Sequence, residues 1–419
     1  MRRFYIILSV IFLSLPLFVK ANAILLPMDE LQKDHLKSYG IAFWVLKNGD
    51  SLEWLLNYRG GSFLLKFDKK TEDECKIRGV SYEVLSDAQV SSTMATVNDP
   101  SVNMDVVKLE KAPRVAVYSP KDKGPLEDAV VLVLEYAEIP FDYIYDEAVL
   151  KGDLPKYDWL HLHHEDFTGQ YSKFGNGFNR EWNIRDRQTQ EALAKKLGYN
   201  KVSKMKLAVA QSIRNFCAGG GFLFAMCSGA DSFDIALSAL NTDIVDVEYD
   251  GDAIDPNAQA KLDYSQTFAF QNFTLNIGPR SRKFSNIDTR TFQRVSSTTD
   301  FFTLFDFSAK WDVVPSMLTQ DHERVIKGFM GLATAFDKGL LKPGVTILGE
   351  MKTEGEARYI HGEYGKGQFT FYGGHDPEDY QHSPGDPPTD LKLHPNSPGY
   401  RLILNNVLFP AAKKKKQKT

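Results

Sequence analysis

Three cysteines in 419 residues are too few for a disulfide scaffold, and an odd count leaves at least one thiol free in any compartment. Long apolar runs are also missing. The longest, Phe4 to Val19, falls short of the ~20 residues that span a bilayer and is broken by Pro16. No internal repeat, heptad or low-complexity block is present, and 43% hydrophobic with 25% charged residues excludes disorder and collagen. Basic charge is scarce where it would matter. The net charge of −4 becomes −7 without Arg2, Arg3 and Lys20, and about −12 without the five lysines between 413 and 418. Such an acidic body has no basic stripe to displace counterions, so nucleic acid is not an expected partner. What is there is an ordinary globular composition, long enough for two or three units or for one α/β domain with an elaboration.

The first 23 residues read as an address. Arg2 and Arg3 form a positive start, the apolar run follows, and Ala21-Asn22-Ala23 fits a small-x-small cleavage site. No cysteine stands just after the run, which disfavours a lipid anchor. The expectation is a signal peptide over 1–23 and an exported chain, periplasmic or extracellular, beginning near Ile24 and carrying no membrane-spanning segment.

Residues 24–112 read as an N-terminal α/β segment: a strand at Ile24 to Pro27, a helix over 30–47, and strands at Leu52 to Leu56, Ser62 to Phe67 and Val80 to Leu85. Cys75 falls in a short polar segment before the last of these. Residues 86–112 are polar and poor in pattern, and Ala112-Pro113 marks a boundary. From 113 to 410 strands and helices alternate, the pattern of a doubly wound, mostly parallel sheet with active sites at the carboxyl ends of its strands. A polar excursion occupies 164–200, an irregular insertion 241–344, and a basic tail 411–419.

The sharpest constellation is Gly219-Gly220-Gly221-Phe222-Leu223-Phe224-Ala225-Met226-Cys227-Ser228-Gly229. An apolar strand runs into a helical pattern, and small residues stand two positions either side of Cys227, as a nucleophile on a strained strand-to-helix turn requires. The helix start aims its amides at the sulfur, and the Ser228 amide offers an oxyanion donor. A base is available where the last strand ends, in Gly373-Gly374-His375-Asp376-Pro377-Glu378. Either Asp376 or Glu378 would fix the His375 tautomer.

These two pieces resemble the class I glutamine amidotransferase-like superfamily, and the stretch Gly365 to Tyr372 running into Gly374-His375-Asp376-Pro377-Glu378 is similar to its ThuA-like branch. The resemblance covers about 113–240 and 345–410. It implies a flavodoxin-like fold and a cysteine-dependent amide hydrolase, with Cys227 as nucleophile, His375 as base and Glu378 as orienting acid. The chain departs from the amidotransferase pattern in having two residues between His375 and Glu378, and Ser-Gly-Ala-Asp after the nucleophile. The whole chain also resembles exported bacterial proteins labelled asparagine synthetase B. Its residues lack that chemistry: cleavage exposes Ile24 rather than a cysteine, and Ser228-Gly229-Ala230-Asp231-Ser232 lacks the second glycine of a pyrophosphatase loop.

His161-Leu162-His163-His164-Glu165-Asp166 ends another strand, with alternation placing His161 and His163 on one face and His164 on the other. His163, His164, Glu165 and Asp166 are expected to line the pocket beside Cys227. Two other readings stand beside the hydrolase: a non-catalytic or carbohydrate-directed binding protein using this edge, and a metal-dependent hydrolase built on His161, His163 and His375. The leading reading needs no cofactor or metal and takes a small-molecule substrate, amide or carbohydrate-related.

Overall fold

The structure is a computed structural model describing residues 21–120, 127–173, 180–278, 281–290, 296, 298–381 and 385–412. The expected signal segment before residue 21 and the lysines of the tail lie outside the described residues. An antiparallel sheet is formed by β1 (Ala21–Leu26), β2 (Leu52–Leu56), β3 (Ser62–Lys66), β4 (Glu83–Ser86) and β5 (Asp105–Leu109), in the order β4-β1-β3-β2-β5. With it come α1 (His35–Lys47), α2 (Lys69–Arg78) and α3 (Asp87–Asn98). Cys75 lies inside α2 and not in a loop, and the segment that reads as patternless holds α3 and β5. Both helices escape apolar periodicity for physical reasons. α2 is held by i,i+4 ion pairs such as Lys76–Glu72 at 2.6 Å, and α3 buries only Val97 and begins with a Ser86/Gln89 capping box.

The second sheet is assembled from β6 (Val115–Tyr118), β7 (Asp142–Ile144), β8 (Trp159–Leu162), β9 (Phe222–Met226), β10 (Phe301–Leu304), β11 (Val325–Lys327), β12 (Phe336–Asp337), β13 (Thr346–Met351), β14 (Glu356–Tyr364) and β15 (Gly367–Tyr372). Its order is β11-β10-β13-β14-β15-β9-β8-β6-β7, with β12 paired to β14. The pairs from β7 through β15 are parallel and those beyond β15 antiparallel, so the sheet is mixed rather than mostly parallel. Hairpin connections, such as the turn through Gly365 and Lys366 between β14 and β15, impose the antiparallel half. Part of the insertion at 241–344 belongs to this sheet, as β10, β11 and β12.

Helices α4 (Ala129–Tyr136), α5 (Asp146–Leu150), α6 (Glu181–Lys196), α7 (Val202–Ala218), α8 (Ser228–Ser238), α9 (Val247–Asp250), α10 (Val313–Leu318) and α11 (Pro398–Leu408) complete the chain. Period-two alternation sends Val115, Val117, Trp159, Phe224 and Met226 to one face of the large sheet. There they share a core with α1, α4, α11 and the inner residues Ile24, Leu26, Trp54 and Phe63 of the small sheet. Ala116, Leu160, Leu162, Leu223 and Ala225 face the other way, under Val209 and Ile213 of α7 and Phe233 and Leu237 of α8. The two sheets are thus joined by one core through a helical layer. The Pro-rich segment after His375 docks on the start of α1, where Leu36 N donates to Pro395 O at 3.2 Å. Among the described residues no helix is long and apolar enough to cross a membrane.

Candidate functional site

The chain passes from β6 out to β7 and back across to β8, so the sheet changes direction beside β6 and β8, where α/β sheets open a crevice at their carboxyl ends. The chemistry-bearing side chains leave β8, β9 and β15 at that edge. β9 turns into α8 through Cys227, whose φ of 50° and ψ of −142° are a strained backbone for a residue with a side chain. Such strain costs of order 1–3 kcal/mol and persists only where the surroundings enforce it. Here Cys227 N donates to Gly374 O at 3.1 Å, Ala230 N to Cys227 O at 3.2 Å, and Gly229 N to His163 O at 2.6 Å. Gly229 is required, because a Cβ there would stand 2.9 Å from His163 O.

The Cys227 sulfur accepts from Leu332 N at 3.5 Å. Burial pushes the thiol up to about 11, while the amides of Leu332, Ser228 and Ala333 work in the opposite direction. The resting group is therefore a neutral thiol inside a ring of N–H donors. The Met330 to Ala333 segment that supplies two of them is pinned to the base as well: His375 N donates to Met330 O at 2.9 Å and Gly374 N to Ala333 O at 2.8 Å. Gly374, at φ 108°, gives β15 its turn into His375 beneath the Phe329 ring.

One donor atom from each of His163, His164, Cys227 and His375 lies within 4.8 Å of the others. His375 Nδ1 is 2.8 Å from His163 Nε2, and His163 Nδ1 is 3.1 Å from Asp128 Oδ1. Asp128 also caps α4, accepting from Val130 N at 2.8 Å and Val131 N at 3.2 Å. Although burial alone would raise it, the neighbouring His161 and His163 rings hold the Asp128 carboxyl well below its usual range. Burial lowers His163, and lowers His164 further. Burial keeps His163 neutral, and the protons then follow one direction. His163 donates from Nδ1 to Asp128 and accepts at Nε2 from His375 Nδ1–H, which leaves His375 Nε2 as the basic nitrogen.

Of the acids expected to orient His375, Asp376 is buried and its charge reaches His163. Glu378 meets His394 Nδ1 at 3.2 Å, and Asp376 accepts from the amides of Glu378 at 2.8 Å and Asp379 at 3.3 Å. The ring nitrogen an orienting acid would take is held by His163, with Asp128 behind it. His161 also lies outside the quartet: its Nδ1 meets Phe224 O at 3.2 Å, and its Nε2 stands 3.2 Å from Asp128. His161 and His163 gather with Asp128 in one donor group, and His163, His164, Cys227 and His375 form another. His164 joins because the chain has left β8 by that point; its ring centroid is 4.0 Å from that of His163 and 4.9 Å from that of His375.

Of the remaining expected residues, Ser228 donates from Oγ to His164 O at 2.7 Å, bracing the elbow. Asp166 turns away, accepting from Thr168 N at 2.7 Å and Oγ1 at 2.6 Å. Glu165 accepts from Tyr145 OH at 2.9 Å in a separate buried cluster around Lys206. The sequence reading missed Asp128 and the Leu332–Ala333 amides. An Asp before the apolar run of α4 is a cap signal that marks the first; nothing local marks the second. Cys75 and Cys217 are buried free thiols remote from these contacts, Cys217 facing Gln368 O at 3.4 Å.

No family model matches the chain, and no curated protein matches it. Similar solved structures include two cytoplasmic proteins of Salmonella typhimurium, at 11% and 13% identity, each covering 72% of this chain and 100% of its own, both with a TM-score of 0.34. A GH42 β-galactosidase from G. stearothermophilus, as a catalytic mutant, is similar over 63% of this chain and 28% of its own, at 13% identity and a TM-score of 0.25.

Proposed function

We propose that the chain is an exported, cysteine-dependent hydrolase of the class I glutamine amidotransferase-like type, related to its ThuA-like branch and acting on an amide or ester-like carbonyl. The observation that carries this reading is the strained elbow, which holds the Cys227 sulfur within 4.8 Å of a His375 ring nitrogen. Strain of this kind concentrates at functional sites, and a core cysteine has no need of it. The parallel strand order β7-β6-β8-β9-β15 supports the flavodoxin-like plan, being 2-1-3-4-5 when these strands are renumbered along the chain.

In this mechanism His375 Nε2 takes the thiol proton as Cys227 Sγ attacks the carbonyl carbon, and His163 with Asp128 holds the imidazolium that forms. The Ser228 amide stabilises the oxyanion. Collapse expels the amine or alcohol, which receives the proton from His375, and leaves a thioester on Cys227. Water, deprotonated by His375, then releases the acid. Because the thiol is neutral at rest, the proton moves during attack.

p-Nitrophenyl acetate tests this. The expected result is a single acetyl adduct on Cys227 by peptide mass spectrometry, absent in Cys227→Ser and formed at least ~100-fold more slowly in His375→Ala. An adduct spread over Cys75 and Cys217, or a rate indifferent to His375→Ala, overturns the reading.

A further inference from the structure

Three imidazoles and a thiol converging within 4.8 Å is more than a cysteine–histidine pair requires. A hydrolase needs Cys227 and His375, with His163 as positioning partner; His164 has no part in that mechanism. Its ring is nonetheless fully set. Nε2 is bonded to the Glu127 carbonyl oxygen at 2.5 Å, so Nε2 carries the proton and Nδ1 holds the free pair. His163 is set in the complementary way, with Nδ1 donating to Asp128 at 3.1 Å and Nε2 presenting its pair. A ring whose far nitrogen donates to a carboxylate or a backbone carbonyl is the usual outer support of a metal-ligating histidine, fixing its tautomer and orientation. Two of the three histidines have that support.

We propose that His163, His164, His375 and Cys227 form a binding site for a borderline-soft divalent cation of the zinc class, and that its occupancy switches off the thiol chemistry. The inhibitory part rests on the hydrolase reading above; the binding does not. The donor set selects the metal class: imidazole and thiolate suit zinc and cobalt, whereas calcium and magnesium need oxygen ligands. Zinc bonds of about 2.0–2.3 Å in a tetrahedron place ligand atoms roughly 3.3–3.8 Å apart, within the 4.8 Å envelope of the four donors once the 2.8 Å contact between His163 and His375 opens to admit the ion.

The protons balance as follows. The thiol loses its proton to solvent as the metal–sulfur bond forms. The ion takes the place of the proton between His163 Nε2 and His375 Nδ1, and His375 carries that proton on Nε2. Four protein ligands saturate a tetrahedral ion and leave no open position for water or substrate, unlike the three-ligand arrangement of catalytic zinc. The bound state therefore withdraws nucleophile and base together instead of creating a metallohydrolase.

The test uses the full chain stripped with EDTA and titrated with Co2+ as a spectroscopic probe. The expected result is one Co2+ per chain, with tetrahedral visible bands and thiolate-to-cobalt charge transfer, displaced by Zn2+. Cys227→Ser should lose the charge-transfer band, and His164→Ala should weaken binding at least ~10-fold while leaving metal-free acetylation of Cys227 in place. Zn2+ should slow that acetylation at least 10-fold, with recovery on adding EDTA. Absence of stoichiometric binding in the wild-type chain, or binding without a thiolate band, or binding indifferent to His164→Ala, overturns the site. Failure of the two readings is separable. A cobalt–thiolate spectrum in a chain that never acetylates Cys227 sinks the hydrolase alone, and acetylation without any such spectrum sinks the metal site alone.

Discussion

Two buried polar clusters leave the end of β8 in opposite directions. Around Lys206 the polar groups are spent on one another: its ammonium is 2.9 Å from Asp146, with the two side chains 1% and 0% exposed, and it donates to Tyr145 OH at 3.0 Å and Tyr118 OH at 3.2 Å. The two hydroxyls pass their own protons to Glu165 and Asp146. Around Cys227 a thiol and three imidazoles turn one donor atom each toward a common point. The first cluster is closed on itself and reads as structure, because its donors and acceptors bond to one another around a single ammonium. The second presents capacity to something that is not protein. Histidines and acids side by side in one sequence stretch belong to both, which is why spacing alone pools them.

The comparison breaks most visibly at Lys206. Lys206→Met strands Asp146 and Glu165 in a dry interior and is expected to cost about 3–5 kcal/mol in urea denaturation. Acetylation of Cys227 per folded molecule should stay unchanged. If the rate falls along with stability, the two clusters are one functional unit and the contrast is wrong.

Titration separates the Lys206 cluster from a buried group outside both clusters, because an acid of the first and the histidine that faces Thr370 respond with opposite signs. Burial pushes Glu165 up to about 7. A raised folded-state value gives stability that is present below the unfolded value of 4.5 and is lost as pH rises through about 7. Burial pushes His361, a neutral histidine on β14, down to about 4. Its contribution is present above the unfolded value of 6.5 and is lost as pH falls through about 4. Relative to wild type, Glu165→Gln should gain about 2 kcal/mol between pH 5 and 7, and His361→Gln a similar amount on going from pH 6.5 down to 4. Chemical denaturation across that range checks both, and shifts of the same sign refute the assignment.

How much of this was legible depended on whether local sequence carries the signal. The elbow was, because small residues must flank a residue forced to positive φ and the apolar run of β9 announces a buried parallel strand. His375 was, because a terminal strand running into Gly373-Gly374 must turn at the same edge. The orienting acid was not. Asp128 lies 247 positions from His375 and is linked to it through His163, whereas the nearby Glu378 meets His394 and Asp376 Oδ1 takes the amides of its own turn. The antiparallel half of the large sheet was partly hidden, since β10 to β12 are two to four residues long and carry no periodic pattern. α2 and α3 were hidden because charge pairing and capping sustain them, with little apolar burial to betray them.

The smallest effect tests the premise on which the site stands. At an ordinary buried turn, glycine in place of alanine lowers stability by up to about 1 kcal/mol through its greater freedom in the unfolded chain. At φ 50°, ψ −142° the order should reverse. Cys227→Ala keeps the Cβ that the backbone resents and Cys227→Gly removes it, while both lose the same sulfur contacts to Leu332. Glycine is therefore expected to be the more stable of the two by about 1 kcal/mol, the middle of the strain range, about 2 kcal/mol, less the roughly 1 kcal/mol of entropy that glycine costs. Paired urea melts decide it. If alanine is the more stable, the elbow is not strained, and Cys227 becomes what a core cysteine usually is, a small apolar residue at the end of a strand.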